Sequence, residues 1–155
     1  MAAVAAPVAK RTACDNGCIP LGRYESCGED PNAFAWFKAI GYTESLSRKC
    51  ADNQMVVTFS KGGLEKEYVM GVAFPAPNIS WDTRFVLGQE VETRGADGAP
   101  LKSSFVFFPD TNELEAKHRK DGCCSYALRY TFRGNQMTIT RTAGGVTSVR
   151  KFNKA

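Results

Sequence analysis

From Asn53 onward, turn signals cut the chain into short pieces, and that segmentation restricts the fold more than any other feature. Lys61-Gly62-Gly63, Pro75-Ala76-Pro77-Asn78, Gly88, the Gly95–Pro100 loop, Pro109-Asp110, Asp121-Gly122, Arg133-Gly134-Asn135 and Thr142-Ala143-Gly144-Gly145 punctuate it in turn. The runs between them carry many β-branched and aromatic residues, as strands do. They are Gln54–Ser60, Leu64–Phe74, Ser80–Leu87, Glu90–Thr93, Leu101–Phe108, Glu113–Arg119, Cys124–Phe132, Gln136–Arg141 and a last run from Gly145. Proline cannot donate to a ladder, so Pro75 and Pro77 mark a break. Regularly spaced short strands with tight turns imply a sandwich or an up-and-down barrel.

One region reads as helical. Glu29-Asp30-Pro31-Asn32 has the acidic residues and early proline of a helix start, Ala33 to Ile40 the body, and Gly41 the stop. Thr43 to Lys49 reads as a second short helix, capped by Thr43 and ending on Arg48 and Lys49. This early helix pair, with adjacent-neighbour connectivity, favours the barrel.

At 155 residues the chain is one domain, enough to bury about two thirds of the surface its unfolded form exposes. The net charge of +4 is too diffuse for a nucleic-acid partner. No apolar run approaches the roughly 18 residues of a transmembrane helix. Met1 to Ala9 is short, lacks a basic start and runs into Lys10-Arg11, so a cytoplasmic location is expected over a signal peptide. Six cysteines keep secretion open as the alternative. Cys14 and Cys18 flank a turn that would let them close a small loop. Cys123 and Cys124, adjacent on a strand, are expected to face opposite ways and not to pair. The cysteine spacings and the one histidine do not make a zinc pattern. His118 stands among Lys117, Arg119 and Lys120 and is expected to be exposed. No catalytic arrangement and no phosphate loop is present, so neither an enzyme nor a cofactor is expected.

The end of the chain, Val146-Thr147-Ser148-Val149-Arg150-Lys151-Phe152, places Ser148, Arg150 and Phe152 on one strand face. An arginine beside an aromatic suits a cavity with an anion at one end and hydrocarbon along the rest. Val-Thr-Ser-x-Arg-x-aromatic at the C-terminus resembles the last strand of the intracellular lipid-binding proteins, the fatty-acid- and retinoid-binding family. Three further blocks agree in order: Phe37-Lys38-Ala39-Ile40-Gly41 with the first lid helix, Arg84 to Glu90 with a strand and turn, and Leu101-Lys102-Ser103 with the strand start after it. Leu21 to Ser26 resembles the first strand.

The resemblance implies an all-β fold, a ten-stranded antiparallel up-and-down β-barrel (a β-clam of the calycin type) with a helix-turn-helix lid over residues 20–155, preceded by a flexible extension, 1–19. It also implies a non-enzymatic, monomeric carrier of a long-chain fatty acid or similar hydrophobic ligand. Arg150 falls on the family's last-strand arginine. Arg129, counted five residues back from Gly134, falls on its partner, and Phe152 on the family's tyrosine. Loss of that hydroxyl removes one donor to a carboxylate, worth about 1–3 kcal/mol. Patterning disagrees over Arg129, because Leu128, Tyr130 and Phe132 form the apolar face of that strand. Arg141 is open to either side. Cavity and portal candidates are Trp36, Phe37, Leu46, Met55 and Val57, with Phe85, Phe105, Phe107, Met137 and Ile139. Trp36 and Lys38, with Arg48 and Lys49, would rest the lid on anionic membranes. Two alternatives stand beside the carrier: a retinoid- or pigment-binding barrel, and a secreted or stress-related barrel that works through its surface.

Overall fold

The computed structural model describes residues 18–155. The Cys14–Cys18 turn and most of the extension therefore lie outside the described residues. Strand β1 (Gly22–Cys27) leads into helices α1 (Ala33–Ala39) and α2 (Glu44–Ala51). Nine strands follow: β2 (Val56–Lys61), β3 (Glu67–Phe74), β4 (Ile79–Val86), β5 (Glu90–Arg94), β6 (Pro100–Phe108), β7 (Glu113–Lys120), β8 (Cys124–Arg133), β9 (Gln136–Ala143) and β10 (Val146–Lys154). β3 starts later than the sequence implies, because Lys66 takes a φ of 63° and Leu64 to Lys66 close a turn instead.

All ten strands form one antiparallel sheet in the order β4-β3-β2-β1-β10-β9-β8-β7-β6-β5. β1 pairs with both β2 and β10, which joins the first strand to the last and curls the sheet into a nearly closed barrel. No ladder joins β4 to β5. That edge is bridged at its turn end, where Gly88 N–H donates to Phe105 O at 2.9 Å and Phe85 stacks on Phe105 at 3.9 Å.

Alternation along the strands sorts the side chains. Tyr24, Phe59, Tyr130 and Phe132 point inward and meet edge-on or tilted at 5.7–6.3 Å. Each fully buried side chain of this size contributes about 1.5–3 kcal/mol, so this aromatic plug fixes one end of the barrel. The inward faces of β9 and β10 change character toward the other end. Met137 and Ile139 give way to Arg141, and Phe152 gives way to Arg150 and Ser148, with Ser148 paired in register to Arg141.

The helices cover that polar end. Thr43 Oγ1 caps α2 by accepting from Leu46 N–H at 3.2 Å, as the sequence implies. Gly41, at φ 92°, turns the chain between the helices in a conformation other residues rarely adopt. Trp36 packs edge-on against Tyr126 at 5.5 Å, and Phe37 stacks on Tyr42 at 5.5 Å. Among the described residues no helix is long and apolar enough to cross a membrane.

Candidate functional site

Beneath the lid lies a cavity walled by Trp36, Phe37, Tyr42 and Met55 from the lid side and by Met70, Val72, Phe74, Leu128 and Tyr130 from the barrel. Its free volume is about 70 Å³. Ligand sites typically need roughly 300–1,000 Å³, so a long hydrocarbon tail enters only if the lid or the aromatic wall moves.

Two arginines reach this wall, Arg94 at the solvent-exposed rim and Arg141, which is buried. Only 1% of the Arg141 side chain is exposed. Nη2 donates to Asp30 Oδ2 at 2.9 Å, and Nε and Nη2 donate to Ser148 Oγ at 3.2 and 2.9 Å. Ser148 in turn donates a short hydrogen bond to the same Asp30 oxygen. The guanidinium also lies 4.7 Å from the Trp36 ring centre and 4.9 Å from that of Phe37, within range for cation–π attraction. One side chain thus ties β9 to the lid. Burial pushes Arg141 down to about 10; nearby Arg150 adds to that shift and Asp30 opposes it. Arg141 pairs directly with Asp30, and Arg150 lies near enough to feel the same carboxylate, so positive charge outweighs negative in this part of the barrel.

A second polar run lies along β5, β6 and β7, and two of its members, Thr93 and His118, line the cavity. Thr93 Oγ1 and Ser103 Oγ are 2.7 Å apart, and Ser103 Oγ is 2.6 Å from His118 Nδ1. His118 therefore faces inward, contrary to its expected exposure. β7 alternates, and Leu114, Ala116 and His118 share its inner face while Lys117 and Arg119 point out. Burial pushes the imidazole down to about 4, so it is neutral at physiological pH. Burial likewise pushes the Tyr126 and Tyr130 hydroxyls above their ordinary range, so both remain protonated donors.

The other site candidates fall in different places. Arg129 is on the outer face, where it pairs with Glu113 and Glu115 at 2.8 Å each. This corrects the position taken from the family resemblance. Strand alternation puts Tyr130, one residue on, at the inward place, as the apolar pattern of β8 indicated. Arg150 is buried but spends its donors on the lid, with Nη1 to Cys50 O at 3.1 Å and Nη2 to Asn53 O. These carbonyls lie at and beyond the C-terminal end of α2, where a cation is favourable. Phe152 is fully buried. Trp36, Phe37 and Met55 line the cavity. Val57, Phe85, Phe105, Met137 and Ile139 are packed in the core away from it, and Leu46 and Phe107 are half-buried. Trp36 points into the barrel, so it is not part of an outward membrane face, whereas Lys38, Arg48 and Lys49 are exposed.

No family model matches the chain. A fatty acid-binding protein of Clonorchis sinensis is 24% identical over 136 residues, covering 86% of this chain and 96% of its own. In sequence and fold the chain is thus similar to fatty acid-binding proteins. Among solved structures, a Schistosoma mansoni fatty acid binding protein in complex with arachidonic acid superposes with a TM-score of 0.76 at 21% identity, covering 87% of this chain and 95% of that one. An abundant heat-soluble (SAHS) protein of Ramazzottius varieornatus superposes equally well, with a TM-score of 0.76 at 21% identity over 87% of this chain and 94% of that one. These two likenesses establish the barrel. Within it, the sequence pointed to Arg150 but left Arg141 open and passed over Asp30 and Ser148. The signal for Arg141 was present: it follows Met137 and Ile139 at period two, so one face of β9 carries all three.

Proposed function

We propose that this lipid-binding barrel is a non-enzymatic carrier of a small hydrophobic ligand with an anionic end, of the fatty-acid class, and that Arg141 receives the anion. The observation that carries this reading is a buried guanidinium on the wall of a largely aromatic and aliphatic cavity. Arginine stays charged when buried and grips a carboxylate through two donors, while the hydrophobic wall takes the tail. The relative named a fatty acid-binding protein supports the ligand class. Arg150 serves the same site indirectly by holding the end of α2. Exposed Lys38, Arg48 and Lys49 give the lid a basic outer face, which suits brief contact with an anionic membrane during transfer. A cytoplasmic location suits such a carrier.

The test is a displacement titration with a fluorescent fatty acid, comparing a long-chain fatty acid with its uncharged methyl ester. The acid is expected to bind at least about tenfold more tightly, a difference of roughly 1.4 kcal/mol. Equal binding of acid and ester refutes the role of Arg141. No binding of either refutes the carrier.

A further inference from the structure

The hairpin joining β7 to β8 carries a feature that ligand carriage does not use. Cys123 lies in the turn, where its N–H bonds to Lys120 O at 3.1 Å, and β8 begins only at Cys124. The opposite-face geometry of a regular strand therefore does not apply, and the two sulfurs lie 2.7 Å apart. That is closer than sulfur atoms of unrelated side chains approach, and it corrects the expectation that these thiols face away from each other. Cys123 is exposed and Cys124 is half-buried. The pair sits where the barrel meets the lid. A Cβ on Gly41 would lie 3.0 Å from Cys123 Sγ, and Lys120 Nζ donates to Ile40 O at 3.0 Å and pairs with Asp97.

We infer that Cys123 and Cys124 form a reversible two-electron redox site that exchanges with small-molecule disulfides. The Cys123 thiolate attacks one sulfur of the small disulfide, forming a mixed disulfide and expelling one thiolate. Cys124 then attacks the Cys123 sulfur and expels the second. Two protein thiols lose two electrons and two protons in total, and the small disulfide becomes two thiols. Cys123 acts first because it is exposed. Burial and the neighbouring sulfur push Cys124 up to about 11, which makes it the slower, resolving thiol.

Geometry makes the product labile. Adjacent Cα atoms are about 3.8 Å apart, whereas disulfides ordinarily span roughly 4.4–6.8 Å. A strained, accessible disulfide is more oxidising and more easily reduced than a structural one. The pair is therefore suited to cycling with its surroundings.

Trypsin reads this site directly, because cleavage after Lys120 and Arg129 places both cysteines in one peptide, Asp121–Arg129. The full chain is equilibrated in buffers of increasing oxidised-to-reduced glutathione, its free thiols are blocked, and the digest is weighed. The expected result is an Asp121–Arg129 peptide lighter by two hydrogens in the oxidising buffers, converting back on return to the reducing one. Cys124→Ser should instead trap one glutathione on Cys123. The inference is overturned if the wild-type peptide keeps two blockable thiols across the range, or if it carries two glutathiones and never the internal disulfide.

Discussion

Replacing Asp30 with asparagine should move stability and ligand affinity in opposite directions, because the Asp30 carboxylate occupies the guanidinium proposed to receive the ligand. Only 4% of the Asp30 side chain is exposed, and it accepts from both Arg141 and Ser148. Breaking a buried ion pair from one side costs about 3–5 kcal/mol. Asparagine keeps one acceptor oxygen, which can serve Arg141, but its amide NH2 then replaces the oxygen that accepts from the Asn32 N–H at 3.2 Å. The expected loss in denaturant unfolding is therefore lower, roughly 2–3 kcal/mol. Binding gains by the same change. A ligand carboxylate no longer competes with a resident one, and a charge-assisted hydrogen bond is worth about 1.5–3 kcal/mol, so affinity for a long-chain fatty acid should rise roughly tenfold to a hundredfold. The methyl ester, which makes no such demand, should show no gain in the same titration. Arg141→Met should lose the acid and keep the ester. A folded Asp30→Asn protein that binds the acid more weakly than wild type would refute the reasoning, since the anion would then be held with help from Asp30 or somewhere else.

The remaining predictions concern the walls and the lid. His118 is neutral in the fold down to about pH 4, while its unfolded form takes a proton near 6.5. Between these values the unfolded chain binds more protons, so stability should fall as pH drops from 6.5 to 4, by about 3 kcal/mol at most. His118→Gln should flatten that part of a thermal-unfolding pH series. Lys120→Met removes the donor to Ile40 O and the partner of Asp97, so stopped-flow uptake of a fluorescent fatty acid should quicken severalfold. Phe105→Ala empties a site stacked on Phe85 at 3.9 Å and should cost about 3–5 kcal/mol in denaturant unfolding. Arg150→Met leaves the carbonyls of Cys50 and Asn53 without their donor. It should raise amide hydrogen exchange at the end of α2 while preserving the preference for acid over ester.

How much of this was legible in the sequence depends on whether a property is set by neighbours along the chain or across it. Strand alternation and turn residues are local, so the barrel, the helix pair and the Thr43 cap could all be read. The direction of Arg129 could be read as well. Leu128, Tyr130 and Phe132 fix the inner face of β8, and a count carried from related proteins displaced the arginine by one residue, which in a strand means the opposite face. Patterning should outrank such a count wherever the two disagree. The Arg141 cluster is of the other kind. Asp30 and Arg141 are separated by almost the whole barrel in sequence and meet only because β10 closes onto β1 and the lid folds back over both. A buried arginine looks like a surface residue until its partner is known, and the partner here belongs to a helix-start motif whose acidic residues were already explained by the helix dipole. Asp30 serves both ends: its Oδ1 accepts from Asn32 N–H at the start of α1, and its Oδ2 accepts from the floor of the cavity. Any anion that takes Arg141 from Asp30 must therefore also loosen one of the contacts that seat the lid, so under the proposed role of Arg141 ligand entry and lid movement depend on the same ion pair.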